Sequence, residues 1–547
     1  MEISAAEALV NQLSTLGADR VFCVPGESYL SALDAMYEHR DIGVISCRHE
    51  GGAGFMAVAD ARLAERPGIL FTSRGPGTMN AAISLHAAQQ DGVPLLVFVG
   101  HVTRQESDRA AFQEVEYRQT FGDIAKAVFE IREGDRVVDT VARAWNLAMS
   151  GSPGPVVIVL PEDMLQDRVA SDIIPHAASS RPEPSLAQLD LVRQRLAEAK
   201  RPLLLAGGQI NTKGARQALE QVAERWNLPV LGTFKQQEVM TNEHEHWVGQ
   251  VGFTMPASLS ESLQQADLIL AVGTRLGDIT TQGFRFPKAP VPDQDVIQVY
   301  PCADHIGRNI SPHLGIVADS ERFLAAMAAS EAPKPSDGRG AWVAQLRENY
   351  RSLAAYTPAP RSSEKGVDFG GVVDAVNRLS CADATFCLDS GNFATWVHRY
   401  LVLRPGQRLL GSASGAMGSG VPYAVAAGLH NKDRTAVAFL GDGGALMTCN
   451  ELATAVHYGA NIKIIIADNS LYGTIRSFQE KIFPGRPVGT SLTSPDFAAW
   501  AESFGVRGWT ISEDSQVEDV IQQALSHPGS AVVHVKQNPE RLSAFSP

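Results

Sequence analysis

Three residues of this 547-residue sequence combine a reactive group with a spacing that could make use of it: Glu50, Asp442 and Asn469. Asp442 stands in Gly441-Asp442-Gly443-Gly444, directly after the apolar run TAVAFL, and Asn469 follows the second run IKIIIA. Between them Leu446, Leu452, Ala455 and Val456 recur at helical spacing, so the stretch reads as one strand–helix–strand unit. A right-handed crossover lays its two strands parallel, which opens both carboxyl ends on the same rim of the sheet. A carboxylate and an amide oxygen converging there, beside glycines that admit backbone N–H groups, suit a hard cation bridging to a diphosphate. Taken singly, Gly-Asp-Gly is a turn and Asn a loop cap; their pairing across one crossover carries the weight. Glu50 follows Arg48-His49 and opens a run with Gly51, Gly52 and Gly54. Its plain reading is a charge that favours a helix N-terminus.

The Gly-Asp-Gly motif with an Asn-containing turn one crossover later resembles the signature of thiamine-diphosphate-dependent enzymes, with Asp468 where an Asn is usual. The resemblance implies thiamine diphosphate and Mg2+, the metal held by Asp442, Asn469 and the backbone carbonyl of Leu471. HEGGAGFMA, at 49–57, resembles the pyrimidine-binding motif of the same enzymes. In that motif the Glu bonds the aminopyrimidine ring and promotes loss of the thiazolium proton, a role that falls to Glu50. VPGES at 24–28 and TSRGPGTMN at 72–80, the latter with an extra-bulky Arg74, resemble two further loops and add Gly26, Pro76 and Asn80 as cofactor contacts. LDSGNFATW resembles the first diphosphate loop, giving Asn392 and Phe393, with a cap and a packing aromatic as the alternative. In GSASGAMGSG, Met417 takes the place of the apolar wedge that bends the cofactor, and Gly415 offers it a carbonyl. Gly443 and Gly444 face the diphosphate. LYGTIRSFQEKIFPGR, at 471–486, is similar to the substrate-facing helix and assigns Tyr472 and Gly473 to the cofactor, Thr474 and Phe478 to the substrate, and Ile475 to both.

DRAAFQEVEYRQTFGDIAK, residues 108–126, narrows the resemblance to acetolactate synthases, in which a Phe, a Gln and a Lys face the reacting centre. Those roles pass to Phe112, Gln113 and Lys126; the alternative is an amphipathic helix with a solvated charged face. The resemblance implies a carboligase or lyase that decarboxylates a 2-oxo acid and adds the resulting enamine to a second carbonyl. The alternatives are a 2-oxo acid decarboxylase or carbon–carbon lyase releasing aldehyde, and a non-catalytic nucleotide-binding relic of the fold. No His-His pair occurs between residues 80 and 130, which disfavours a simple decarboxylase.

The elements that position these residues alternate between buried strands and helices, the pattern of parallel α/β sheets. Three consecutive α/β domains are expected: 1–170 for the pyrimidine, 188–330 as a Rossmann-like middle domain, and 366–547 for diphosphate and metal. Pro- and Ser-rich stretches near 170–187 and 330–365 read as linkers. In the middle domain AGG at 206–208, GTRLGD at 273–278 and ADS at 318–320 resemble an FAD-holding domain. VGFTMPAS at 251–258 replaces that family's Gly-Met-His-Gly segment, which leaves FAD open.

A net charge of −13 without a compact basic run argues against nucleic acid. No apolar stretch approaches the ~18 residues of a membrane span. MEISAAEALVNQLSTLG reads as an acidic amphipathic helix, not a signal sequence. Six scattered cysteines without a CxxC pair indicate neither zinc nor a disulfide framework, and a cytoplasmic protein is expected. The family resemblance implies a homodimer with active sites at the subunit interface, or a homotetramer, acting on a small 2-oxo acid.

Overall fold

The structure, a computed structural model, describes residues 2–170, 172–176, 181–252, 255–332, 338–358 and 365–545. Its strands are short apolar runs such as Leu95–His101 and Ile462–Asp468, buried along their whole length. Burial on both faces is what a parallel sheet covered by helices demands. Three six-stranded parallel sheets result, their strands falling between residues 20–161, 202–317 and 385–536. Numbered within each sheet, the first and third share the order 2-1-3-4-6-5, and the middle one has 3-2-1-4-5-6. The middle order is that of dinucleotide-binding folds, and the other two also reverse direction beside their first strand. Loops at such reversals stand apart and leave a crevice at the carboxyl ends.

Residues 2–4, expected to be helical, instead pair antiparallel with Arg168–Ala170. The helix begins at Ala5, where Ser4 and Glu7 satisfy each other's backbone donors in a capping box.

The chain packs as two compact units that cut across chain order. One comprises Met1–Ser180, Ser412–Ala436 and Gly444–Ile462. In it the helix Glu50–Ala64 is buried from Gly51 to Arg62 and packs against Gly75–Asp91 and Gly420–His430. Small residues let these helices approach, and Phe55 meets Tyr423 edge-on with ring centroids 6.1 Å apart.

The other unit comprises Arg181–Gly411, Val437–Gly443 and Lys463–Pro547. Here the buried polar segment 233–242, after the strand Val230–Gly232, docks on the strand Arg408–Gly411 and the residues before it. Glu238 accepts from Arg408 at 2.6 Å, Asn242 N–H donates to Leu403 at 2.8 Å, and Lys235 donates to Ser390 at 2.9 Å. Beside this segment both ring nitrogens of His398 are buried without a partner, the His398 and Phe234 ring centroids lying 6.2 Å apart.

Burial, reinforced by Lys235, pushes the His398 imidazole down to about 3 from 6.5. The unfolded chain therefore takes up this proton first. The contribution of His398 to stability is whole above pH 6.5 and is lost as pH falls toward 3. Denaturant titrations at a series of pH values should show His398→Leu losing less stability on acidification, the difference approaching about 1.4 kcal/mol per pH unit.

Candidate functional site

In the first unit the strands Arg20–Cys23 and Gly68–Thr72 flank the point where strand order reverses. Gly26 follows the first and lies against Ser73; Pro76 and Asn80 belong to the helix that follows the second. The strand Gly43–Ser46 leads through Arg48 and His49 into the helix opened by Glu50. His49 caps this helix by accepting from the Gly51 N–H at 3.0 Å. Asn80 donates to Glu50 Oε2 at 2.9 Å, which fixes the carboxylate and leaves Oε1 for another partner. Glu451, fully buried, accepts from the N–H groups of Arg48 and His49 at 3.0–3.2 Å. Within the same unit Gly415 adopts a positive φ of 75°, and Met417 is half-buried just before the helix Gly420–His430.

In the second unit Asp442 follows the strand Ala436–Gly441, and Asn469 follows Ile462–Asp468, its neighbour in the sheet. Asp442 is 2% exposed and accepts from Ser494 at 3.0 Å. Asn469 Oδ1 accepts from the Leu471 N–H at 3.1 Å, a tight Asx turn that draws its side chain over the rim. Gly443 admits the Tyr472 ring: a Cβ there would lie 2.6 Å from it. Gly473 lies against the Asn392 side chain, which donates to the Leu542 carbonyl at 3.1 Å.

Asp468 is fully engaged. His534 Nδ1 accepts from the Phe497 N–H at 3.2 Å, so its Nε2 carries the proton and donates to Asp468 at 2.8 Å. Lys536 adds a second charge-assisted bond at 3.0 Å. Burial alone would raise the Asp468 carboxyl, but His534 and Lys536 hold it well below the ordinary range. Burial and the neighbouring Asp468 charge push Asp442 the opposite way, upward. A carboxylate so placed gains from a cation beside it. Asp442, the Asn469 amide and the Leu471 carbonyl offer hard oxygen donors. Among the described residues no group of three His, Cys, Asp or Glu could hold a metal by itself. Such a donor set fits a cation that completes its shell with phosphate and water, as Mg2+ does.

Lys126 and Phe393, both expected at the site, stand away from the rim. Lys126 stands at the amino-terminal edge of its strand: its N–H bonds Pro155 at 2.8 Å and its ammonium donates to the Ser150 carbonyl. It cannot face the carboxyl rim, where Arg74 pairs with Glu162 at 2.6 Å. Phe393 is 2% exposed and packs under Gly441 in the core, so its ring does not reach the rim. The segment 108–126 is not one helix. Glu114 folds it into turns by accepting from Asp108 and Ala111, and only Tyr117–Phe121 is helical. Gln113 has a φ of 65° and its carbonyl accepts from the Gly75 N–H, while Phe112 is exposed. Thr474, Ile475 and Phe478 lie exposed on the helix Gly473–Ile482. The crossover after Asp442 is two short helices, Asp442–Thr448 and Leu452–Tyr458, with Leu446 and Val456 exposed rather than in the core.

The sequence reading missed Glu451, Ser494, His534, Lys536 and the Arg74–Glu162 pair. A signal existed for two of them: His534 and Lys536 are two apart in the strand Ala531–Lys536 and so share a face.

Comparison with known proteins agrees with this geometry. Residues 3–120, 189–327 and 389–535 match, in turn, the N-terminal TPP binding domain, the central domain and the C-terminal TPP binding domain of thiamine pyrophosphate enzymes. The chain is 30% identical over 550 residues to the acetolactate synthase large subunit of Parasynechococcus marenigrum (strain WH8102), covering 97% of this chain and 87% of that one. It is 28% identical over 545 residues to the acetolactate synthase isozyme 1 large subunit of Escherichia coli (strain K12), covering 98% and 94%. Over 523 residues it is 28% identical to the acetolactate synthase large subunit of Lactococcus lactis subsp. lactis (strain IL1403), covering 94% and 89%. Two rims of matching strand order, one presenting Glu50 and the other oxygen donors for a cation, thus lie in a chain that belongs to the thiamine pyrophosphate enzyme family and is an acetolactate synthase-like enzyme.

Proposed function

We propose that this enzyme is a magnesium-dependent, thiamine-diphosphate-dependent carboligase acting on 2-oxo acids. The observation that carries the reading is Glu50, held by Asn80 with one oxygen to spare, at the carboxyl rim of a sheet whose strand order recurs around Asp442 and Asn469. Bound thiamine diphosphate would supply an acidic thiazolium carbon able to add to a keto carbonyl. Glu50 Oε1 holds or moves the proton at the aminopyrimidine, and Asn80 fixes its direction. Asp442, Asn469 and the Leu471 carbonyl bind the cation; Gly443, Gly444, Asn392, Tyr472 and Gly473 border the diphosphate. Gly26, Pro76, Gly415 and Met417 border the rest of the cofactor. Gln113 and Phe112, with Thr474, Ile475 and Phe478, form the substrate side. The proposal does not extend to FAD. The loops after Pro202–Ala206 and Leu268–Val272, where the middle sheet reverses, close on each other: a Cβ at Gly207 would lie 2.3 Å from the Gly273 carbonyl oxygen.

The enzyme acts as a homodimer with its sites at the subunit interface, or as a homotetramer. Large apolar side chains exposed on both units, Met79 and Ile83 on one, Ile475, Phe478 and Ile482 on the other, support this association. Free cysteines support a reducing, cytoplasmic setting. Among the described residues no helix is long and apolar enough to cross a membrane.

Incubating the purified protein with thiamine diphosphate, Mg2+ and a panel of 2-oxo acids, and scoring CO2 together with products, tests the reaction. Ketol formation is expected; aldehyde without ketol would assign a decarboxylase or lyase instead. Glu50→Gln should lower kcat by about 10²- to 10⁴-fold while cofactor binding persists. Asp442→Asn should abolish the thermal stabilisation that Mg2+ with thiamine diphosphate gives the native protein.

A further inference from the structure

We infer that Glu451 is a positioning residue that holds the turn carrying Glu50 in its working orientation. The inference rests on the reading of Glu50 as the group that handles the cofactor proton.

Glu451 ends the short turn Cys449–Glu451 in the crossover that begins at Asp442, 402 positions after His49 in sequence. Its side chain is buried, yet every bond it makes is to a donor. Arg48 N–H donates at 3.1 and 3.2 Å, His49 N–H at 3.0 Å, and Thr454 Oγ1 at 2.6 Å. Arg48 and His49 are the last two residues before the helix opened by Glu50, where the backbone N–H groups have no partner of their own. An acceptor-only carboxylate matches that demand, whereas an amide would turn a donor toward the same N–H groups. The chain has also cleared room for this carboxylate. A Cβ on Gly52 would lie 2.4 Å from its Oε1, so no side chain at 52 is compatible with the contact.

These bonds fix the path from strand to helix on the backbone side of Glu50, while Asn80 fixes the carboxylate end. Together they leave Glu50 little freedom to swing. Without Glu451, the part-buried N–H groups of Arg48 and His49 lose their acceptor and the turn is free to shift. Misplacement of a reacting group by ~1 Å can cost about 10²-fold in rate.

The test uses the full-length enzyme and the variants Glu451→Gln, Thr454→Val, Glu50→Gln and the double variant Glu50→Gln/Glu451→Gln. Hydrogen exchange at the amides of residues 48 and 49, measured without cofactor, should accelerate in Glu451→Gln and, to a smaller extent, in Thr454→Val. In steady state Glu451→Gln should lower kcat about 10- to 100-fold with KM little changed. The double variant should be no slower than Glu50→Gln alone, since both changes act through one carboxylate. Losses that multiply in the double variant, or unchanged exchange and kcat in Glu451→Gln, would overturn the role. If Glu451→Gln fails to fold, Thr454→Val decides on the same exchange and kcat readouts. Wild-type activity in Glu50→Gln would instead remove the reading of Glu50, a result separable from the exchange data.

Discussion

Two carboxylates closing on one dry rim repel each other, and the second compact unit is arranged around that repulsion. Asp442 and Asp468 end neighbouring strands and both are nearly buried. The fold lets only one of them keep its charge unaided: His534 and Lys536 supply Asp468 with a proton donor and a full positive charge. Asp442 has the Ser494 hydroxyl and nearby backbone N–H groups but no cation, and burial with the Asp468 charge pushes its carboxyl upward. A hard cation held at Asp442 would offset the burial and the repulsion from Asp468 that raise its carboxyl, so that penalty would become part of the site's affinity for a cation. Asp468 is thus matched by its own partners on the strand Ala531–Lys536.

The same strand order in the first and third sheets explains why the chemistry falls on the loops it does. In both, the order reverses beside the first strand, and the loops that part there are the ones bearing Gly26 and Thr72–Gly77 in one sheet and Asp389–Phe393 and Asp442 in the other. The middle sheet reverses too, with the loops at its reversal in close approach at Gly207 and Gly273, and the polar residues beyond Val230–Gly232 bind the neighbouring strand Arg408–Gly411 and the residues preceding it. Three sheets of one general kind therefore diverge in use according to what the loops at the reversal meet.

Much of the fold was legible in the sequence because strands buried on both faces are written as continuous apolar runs, and the candidate rim because a glycine-flanked Asp after one such run is paired with an Asn after the next. Asp442 and Asn469 were singled out by that pairing, and Glu50 by the resemblance of HEGGAGFMA to a pyrimidine-binding motif. What escaped reading were contacts between distant positions. Glu451 looks like a solvated residue of a helical crossover until the backbone of Arg48 and His49 is placed against it. The crossover itself was read as one helix because Leu446 and Val456 keep helical spacing, but both face outward and the turn at Cys449–Glu451 breaks the run. Phe393 shows the converse: its motif position pointed to the ligand, and its apolar ring went to the core.

Lys126 shows why spacing within a motif cannot replace strand direction. A group serves the carboxyl rim of a parallel sheet only if it follows a strand or reaches past its end. Lys126 precedes Ala127–Glu130, and four residues at ~3.3 Å each put ~13 Å of strand between it and the rim, more than a lysine side chain spans. Arg74 follows Gly68–Thr72 and is on the correct edge by construction. Its charge is nevertheless engaged, since Glu162, directly after Pro155–Pro161, takes up its guanidinium. On the function proposed above, a substrate carboxylate on this side of the first sheet would compete with Glu162 for Arg74 or rely on neutral donors such as Gln113. That competition is a property of strand direction and loop charge together, and neither the motif nor its spacing expresses it.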